Sequence, residues 1–393
     1  MKNHFYKNLA SLLSGNAIAQ VIQLLGLVFF ATVYAPSAFG ILGTSQSIAV
    51  IVAALCTLQM NIMVPLAKDR EEAVSLVNDA RLTIFIFVFA MSPLILVWGN
   101  LFFVVLLLAL VVSLNNVHCA LVVFDEKFPS LSIFYLFRAA LIVLFQYLLF
   151  LPLPENGLLW GSVVGELVAC FVLVFISKGG LARVSGKGLW TKLVARRAYT
   201  LYGTLQELLT IAAYYMPLYI FQLKFGSHIS GQYAFASRLV WGPLIVLTSS
   251  LSQVLIKFYA GEEGQRRFLS LHVNTVRYMF PIIFLCALVA SLTWKVSSLI
   301  VGVEWGYASG MLGLSILWAG FFLLSMPYRV MLRVKGLQRL QLFVDLGGMA
   351  LYGLVFIFFD YAVLATMGAF VVIAGVQNWL LSMIVLKQRE ANV

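Results

Sequence analysis

Charged side chains are scarce in this chain: only 10% of its 393 residues are Asp, Glu, Lys or Arg, whereas a soluble domain carries about 25%. Hydrophobic residues make up 62% of the sequence, and the mean hydropathy is +0.99. Apolar stretches run almost from end to end of the chain. The sequence therefore leaves no room for a soluble catalytic domain.

Each apolar stretch is long enough to cross a bilayer, since about 20 apolar residues span a hydrocarbon core of about 30 Å. The hydropathy pattern predicts twelve spans, and hence an all-α integral membrane protein. They are 9–34, 41–64, 82–98, 101–124, 132–151, 157–176, 200–222, 231–256, 276–293, 306–328, 341–359 and 363–386. Long outward loops are missing as well, which argues against a folded module outside the membrane.

Positive charge is almost absent from one side of these spans. All but four of the 26 Lys and Arg residues lie in inward loops or at inner span edges; the exceptions are Lys224, Lys295, Arg138 and Arg238. Because Lys/Arg asymmetry orients helices during insertion, we expect a multi-pass protein of a bacterial cytoplasmic membrane with both termini cytoplasmic. The net charge of +11 then faces anionic lipid headgroups, so no nucleic-acid partner is expected.

Catalytic and metal-binding patterns are also missing. The four cysteines have no CxxC spacing and all lie inside apolar spans, at Cys56, Cys119, Cys170 and Cys286, which is typical of small buried side chains. His118 has no second His or Cys at ligand spacing. Nucleophile–base pairs, phosphate loops and hydrolase-type acid pairs do not occur. We expect no enzyme, no cofactor and no metal site.

The spans divide into two halves around the longest inward loop. We predict an N-terminal six-helix lobe (1–176), a basic amphipathic cytoplasmic linker (177–199) and a C-terminal six-helix lobe (200–393). Residues 37–48 and 228–239 both read as a short turn, a glycine and a helix rich in small residues, 191 positions apart. Six spans per half require a parallel repeat, related by a pseudo-two-fold axis along the membrane normal.

Five ionisable residues lie within spans, where a charged side chain is energetically unfavourable and commonly faces a cavity or a partner. Glu166 and Glu207 lie deepest and are candidates for proton or ion coupling, together with Asp345. Arg138 and Arg238 are candidate substrate ligands. The alternatives are structural: Arg138 and Asp345 are close enough to the interface to snorkel or cap, and both glutamates could simply pair with neighbouring helices.

The first span carries three amides on one stripe, since Asn16, Gln20 and Gln23 are spaced by four and then three residues. Amides on one face are unfavourable against lipid tails, so we expect a water- or sugar-lined space there. Hydrogen bonds inside a dry helix bundle are the alternative. Tyr214 on the seventh span is a further candidate, either packing on sugar or marking a helix interface.

Several segments resemble bacterial polysaccharide flippases of the multidrug/oligosaccharidyl-lipid/polysaccharide exporter superfamily. They are 14–20 (SGNAIAQ), 36–40 (PSAFG), 67–73 (AKDREEA), 231–239 (GQYAFASRL) and 302–305 (GVEW). The resemblance implies translocation of an undecaprenyl-diphosphate-linked oligosaccharide, as in O-antigen and lipopolysaccharide biosynthesis, from the inner to the outer leaflet by alternating access that ion exchange could drive. It also implies membrane lipids and the polysaccharide polymerase machinery as candidate partners.

Two other functions remain open at this point. A cation-coupled multidrug exporter of the same superfamily would share the fold and the buried carboxylates, although the first helix contains no acidic residue. A membrane glycan polymerase or glycosyltransferase belongs to a different class, and the short outward loops and missing acid–base groups argue against it.

Overall fold

The computed structural model describes residues 2–177, 189–196, 198–259, 303–334, 338–358 and 362–390, with seven further residues between 280 and 288. Within these residues every regular element is a helix, so the predicted all-α membrane fold is confirmed. More than half of the predicted ninth span, 276–293, falls outside the described residues. So do Lys178, Arg183, Lys187, Arg197, Arg277, Cys286, Lys295 and Gly302.

Thirteen α-helices are described, numbered here along the chain. Their bounds are α1 Lys2–Phe30, α2 Pro36–Thr57, α3 Met60–Met63, α4 Arg70–Met91, α5 Ile95–Trp98, α6 Asn100–Phe124, α7 Phe128–Leu148, α8 Gly157–Ser177, α9 Leu189–Ala195, α10 Thr204–Tyr259, α11 Ala308–Val334, α12 Gln338–Phe358 and α13 Val363–Glu390. Among the described residues, seven segments are long and apolar enough to cross a membrane, and Ser14–Phe30 and Leu340–Val355 are shorter apolar helices.

The predicted seventh and eighth spans are two helical segments of α10 that meet at Gly226, whose backbone is not helical. This residue has a φ of 79°, in the left-handed region that glycine adopts without steric cost. The two predicted spans therefore lie on either side of a glycine turn instead of a longer loop.

The chain forms two compact units. Unit 1 contains residues 1–34 and 41–215, and unit 2 contains residues 35–40 and 216–393. The first turn of α2 thus belongs to unit 2, and α10 contributes to both units. Residues 200–215, which belong to the predicted C-terminal lobe, group with unit 1 in the structure. The lobe boundaries drawn around 177–199 stay a prediction.

Glycines allow helices α7 and α8 of unit 1 to approach closely. A Cβ at Gly161 would lie 2.5 Å from the Cα of Gln146, and one at Gly165 would lie 2.7 Å from the Cα of Ile142. The Gln146 side chain lies across the same contact and donates to the Leu158 carbonyl and to Ser162 Oγ, at 3.1 and 2.8 Å. This is the small-residue packing expected between membrane helices.

The predicted 191-residue repeat has a physical counterpart in unit 2. A Cβ at Gly40 would collide with the backbone oxygen of Ser227, and a Cβ at Gly231 would collide with that of Pro36. Ser227 follows Pro36 by 191 positions, and Gly231 follows Gly40 by the same number. The two contacts are therefore exchanged copies of each other, as a two-fold relation requires.

Two predicted spans have different ends in the structure. The second was expected to continue to residue 64, but α2 stops at Thr57 because Leu58 and Gln59 adopt positive φ values of 46° and 59°. The third was expected from residue 82, but α4 already begins at Arg70. Its N-cap Asp69 accepts the backbone N–H of Glu72 at 2.8 Å, which satisfies one unpaired donor of the first turn.

The described part of the basic linker contains the short helix α9. Trp190 is 77% exposed and Val194 lies on the same exposed face. Arg196 pairs with Glu72 at 2.5 Å, which ties the end of this segment to the first turn of α4. Tryptophan is enriched at bilayer interfaces, and the segment that carries Trp190 is tied through Arg196 to the start of the spanning helix α4. Its placement on the inner leaflet remains a prediction.

Gly161→Ala should destabilise the protein by about 1–3 kcal/mol, because the new methyl group must force α7 and α8 apart. Gly353→Ala is the matched control: nothing lies within 4 Å of its Cβ position, and alanine is favoured over glycine in helices by up to about 1 kcal/mol. Thermal unfolding of the purified protein measures both. An unchanged or raised Tm for Gly161→Ala would contradict the close contact.

Candidate functional site

Unit 1 contains an ion pair between a partly exposed arginine and a buried glutamate, and it joins three helices. Arg138 of α7 donates from Nε and Nη2 to the two carboxylate oxygens of Glu166 on α8, at 2.7 and 2.5 Å. Asn115 of α6 donates from Nδ2 to Glu166 Oε2 at 2.9 Å. The structure thus brings together two residues that were predicted separately. Arg138 pairs with Glu166 across the bundle, and this pairing is the bidentate geometry that gives strong charge-assisted bonds.

Glu207 lies near the break after α2. Its carboxylate accepts a hydrogen bond from Nε2 of Gln59. Gln59 is the second of the two left-handed residues that follow the end of α2. Two buried polar atoms of the same neighbourhood, Asn61 Oδ1 on α3 and Thr204 Oγ1 at the start of α10, have no hydrogen-bond partner. Glu207 therefore sits in a polar region whose hydrogen-bonding capacity the described protein atoms do not exhaust.

Unit 2 contains a second intramembrane ion pair, again spread over three helices. Arg329 of α11 lies 3.4 Å from Asp345 of α12, and its Nη2 donates to Asn378 Oδ1 of α13 at 3.2 Å. Gln377 of α13 donates to Asp345 at 2.8 Å, and Gln341 donates to the other carboxylate oxygen at 3.4 Å. Asp345 is thus held within a network of helices α11 to α13.

The predicted amide stripe on α1 lies on the open side of that helix. Asn16 and Gln23 are exposed and Gln20 is half-buried, whereas Gly15 and Ala19 on the adjacent face are buried. The buried face packs on α7, where a Cβ at Gly15 would meet Ser132. The stripe therefore does not serve the α1–α7 contact, and its exposure to substrate or water remains a prediction.

The remaining two predicted residues are half-buried. Tyr214 packs edge-on against Tyr215, with ring centroids 4.7 Å apart, and it lies seven residues, two helical turns, after Glu207. Arg238 lies in the unit 2 part of α10. Of the nine predicted site residues, the structure joins Arg138 and Glu166 by direct contact.

Sequence reasoning missed two buried arginines. Arg329 was counted as an inner-edge residue, yet it is only 9% exposed. Arg81 was treated in the same way, but its Nη2 lies 2.9 Å from His118 Nε2, while His118 Nδ1 lies 2.8 Å from Ser177 Oγ. Because arginine only donates, His118 accepts at Nε2 and donates from Nδ1. In the sequence, the polar residues Asn115, Asn116 and His118 within the fourth predicted span were the signal that a buried partner such as Arg81 lies nearby.

Metal-ligating side chains are not clustered in the described part of the chain, where no group of three or more His, Cys, Asp and Glu residues gathers. The three described cysteines are free thiols. The chemistry available at these sites is therefore hydrogen bonding, ion pairing and proton exchange by carboxylates.

No family model and no curated protein sequence matches this chain. Solved structures do. The chain is similar to an inward-facing multidrug resistance MATE family transporter of the MOP superfamily, with a TM-score of 0.70, 12% identity and 95% of each chain covered. It is also similar to the lipid II flippase MurJ in an inward closed conformation, with a TM-score of 0.73, 12% identity, and 96% and 87% covered.

A third similar structure is an outward-facing MATE transporter of that superfamily, with a TM-score of 0.63, 13% identity, and 98% and 96% covered. At these identities the similarity concerns the fold. The chain is a multi-pass helical membrane protein with the fold of MOP-superfamily transporters.

Arg329→Met should destabilise the protein by about 2 kcal/mol, because it leaves Asp345 and Asn378 without their buried partner. Breaking a fully buried pair costs about 3–5 kcal/mol, and we expect less here because a third of the Asp345 side chain is exposed. The double variant Arg329→Met/Asp345→Leu should recover part of the loss. Thermal unfolding measures the cycle; additive losses in the double variant would show that the pair is not coupled.

Proposed function

We propose that this protein is a flippase that moves an undecaprenyl-diphosphate-linked oligosaccharide from the inner to the outer leaflet of a bacterial cytoplasmic membrane by alternating access. The observation that carries the proposal is the polar chemistry of unit 1. Uncharged amides at Asn16 and Gln23 are exposed on an apolar helix, and the side chain of Arg138 in the same unit is partly exposed. A neutral sugar and an anionic diphosphate require this combination of groups.

Amides suit sugars because each provides both a donor and an acceptor for hydroxyl groups. Arginine suits diphosphate because its planar fork bonds two phosphate oxygens at once. Tyr214 provides an aromatic face of the kind on which sugar rings pack. Arg238 is the corresponding candidate ligand in unit 2. Polysaccharide polymerases would act on the exported product and are candidate partners.

The buried carboxylates are candidates for coupling transport to an ion gradient. Glu166 and Asp345 are each neutralised by an arginine, whereas the described partner of Glu207 is the uncharged Gln59 amide. A carboxylate with a neutral partner exchanges a proton more readily than one held by a guanidinium. Glu207 is therefore the first candidate for proton exchange.

A second candidate function is export of organic cations, since two of the similar structures are multidrug transporters. Such substrates would need acidic groups at the binding surface. The described polar groups of the α1 stripe are neutral, and two of the three candidate coupling carboxylates, Glu166 and Asp345, are already paired with arginines. These observations favour an anionic, sugar-bearing lipid over a cationic drug.

Purified protein in liposomes should expose inner-leaflet lipid-linked oligosaccharide to an impermeant sugar-oxidising enzyme faster than empty liposomes do. The same vesicles should not accumulate ethidium, a cationic drug probe. Rapid ethidium accumulation without lipid exposure would replace the flippase by the drug exporter. Absence of both activities in correctly folded protein would contradict transport of either substrate class.

Glu207→Gln should abolish the acceleration of transport by an imposed pH gradient, because glutamine retains the hydrogen bond to Gln59 but cannot release a proton. Glu155→Gln is the matched control, since Glu155 is exposed in the turn before α8 and should leave the acceleration intact. The ratio of rates with and without the gradient is the measurement. A gradient response that survives in Glu207→Gln rules out this residue as the coupling group.

A further inference from the structure

Of the two polar groups of the Asn115 amide, only the Nδ2 group makes a hydrogen bond among the described residues. Its Nδ2 group donates to Glu166 Oε2 at 2.9 Å, but its Oδ1 atom is buried and has no hydrogen-bond partner. The whole residue is 4% exposed. A buried amide oxygen without a partner loses about 1–3 kcal/mol, so a single static arrangement does not explain why an amide is placed here.

Two protonation states of Glu166 do explain it. An ionised carboxylate only accepts, and the Asn115 N–H then faces it. A protonated carboxyl group carries an O–H donor and needs an acceptor. A half-turn of the amide about its terminal torsion would bring Oδ1 into the position now held by Nδ2. Asparagine therefore provides the required partner in either state, which valine could not do.

Arg138 is the cationic partner of Glu166, and its side chain is the more accessible of the two. About a third of the Arg138 side chain is exposed, against only 7% of the Glu166 side chain. Because a cationic side chain is strongly unfavourable against hydrocarbon, we expect the exposed part of Arg138 to face a polar space. An anion entering that space meets Arg138 before it meets Glu166.

We propose that Arg138 exchanges partners during transport: a phosphate of the substrate headgroup takes the guanidinium from Glu166, and Glu166 binds a proton from water in its place. The proposal rests on the proposed function and deepens it by coupling anion binding to proton uptake. Two N–H···O bonds from Arg138 to Glu166 break and two to phosphate oxygens form. The proton bonds to a Glu166 oxygen, and Asn115 turns to accept it as a positioning residue.

The other groups around Glu166 are compatible with this exchange. Helices α6 and α7 pack on α8, and they bring Cys119 and Tyr135 to the same neighbourhood. Cys170 lies one turn along α8 and interacts with both Glu166 and Arg81. None of these three side chains is acidic at neutral pH. Arg138 is thus the nearby charge whose departure would leave Glu166 without compensation.

Calorimetric titration in two buffers of different ionisation enthalpy measures the protons taken up with each ligand. Farnesyl diphosphate is the probe, with inorganic pyrophosphate to separate headgroup from lipid recognition and farnesol as the neutral control. Wild-type protein should take up about one proton more per bound diphosphate than Glu166→Gln. When Arg138 leaves for the phosphate, the Glu166 carboxylate binds a proton in its place, whereas glutamine cannot bind one. Glu166→Asp, which keeps a titratable carboxyl group, should retain the uptake.

The outcomes separate the two proposals. Diphosphate binding with equal proton uptake in wild type and Glu166→Gln would overturn the exchange and leave the flippase intact. Failure of both diphosphates to bind would overturn both. Uptake with pyrophosphate but no gain in affinity with the farnesyl chain would support the exchange for a free diphosphate and contradict a lipid-linked substrate.

The role of Asn115 has its own spectroscopic readout. Infrared difference spectra on ligand binding should show a protonated carboxyl band that Glu166→Gln lacks. Asn115→Val should move that band to the frequency of a free acid, because the acceptor is removed, whereas Asn116→Val on the exposed face of the same helix should leave it in place. A band unaffected by Asn115→Val would contradict the positioning role.

Discussion

Charged side chains within hydrocarbon must find partners, because neither lipid nor an apolar helix can replace water around them. This constraint explains the polar interior of both units. In unit 1 the guanidinium of Arg138 and the carboxylate of Glu166 meet between α7 and α8, with an amide from α6. In unit 2 Arg329 and Asp345 meet between α11 and α12, with amides from α12 and α13. Each unit thus ties three helices together through one arginine and one carboxylate.

These pairs are weak evidence for stability in themselves, since replacing a buried ion pair by apolar residues is often neutral or stabilising. Stability alone therefore does not account for these two ion pairs in largely apolar helices. The Arg138 side chain is partly exposed, whereas a purely structural pair is best sealed from any competing anion. The exposed neutral amides on α1 are a second polar feature of unit 1.

Hydropathy and the Lys/Arg asymmetry predicted the helical membrane fold, because both can be read locally from the sequence. The contact at Gly40 and Gly231 could also be anticipated from the repeat. The ends of α2 and α4 could not be predicted, since they depend on left-handed residues and an N-cap that are independent of hydropathy. Arg329 and Arg81 were missed because residues near a span end have two options, snorkelling or burial, and only the packing of neighbouring helices decides between them.

The site was predicted only in part, because the pairing of charges between helices also depends on how neighbouring helices pack. Glu166 and Arg138 stood out as charges within spans, but their pairing depends on the close approach of α7 and α8 that Gly161 and Gly165 permit. Gln59 gave no signal, because its importance comes from a backbone break. The amide stripe on α1 could be read directly from helical spacing.

If this protein moves a sugar-bearing lipid, water and sugar, and not lipid tails, should meet the amides of α1. The most direct measurement is the reactivity of Asn16→Cys and Gln23→Cys, in a chain whose own cysteines are replaced, toward a charged thiol reagent that does not enter hydrocarbon. We expect both cysteines to react and lipid-linked oligosaccharide to protect them, while Leu25→Cys, which is also exposed on α1 but among apolar neighbours, should stay unreactive. Equal lack of reaction at all three positions would contradict it.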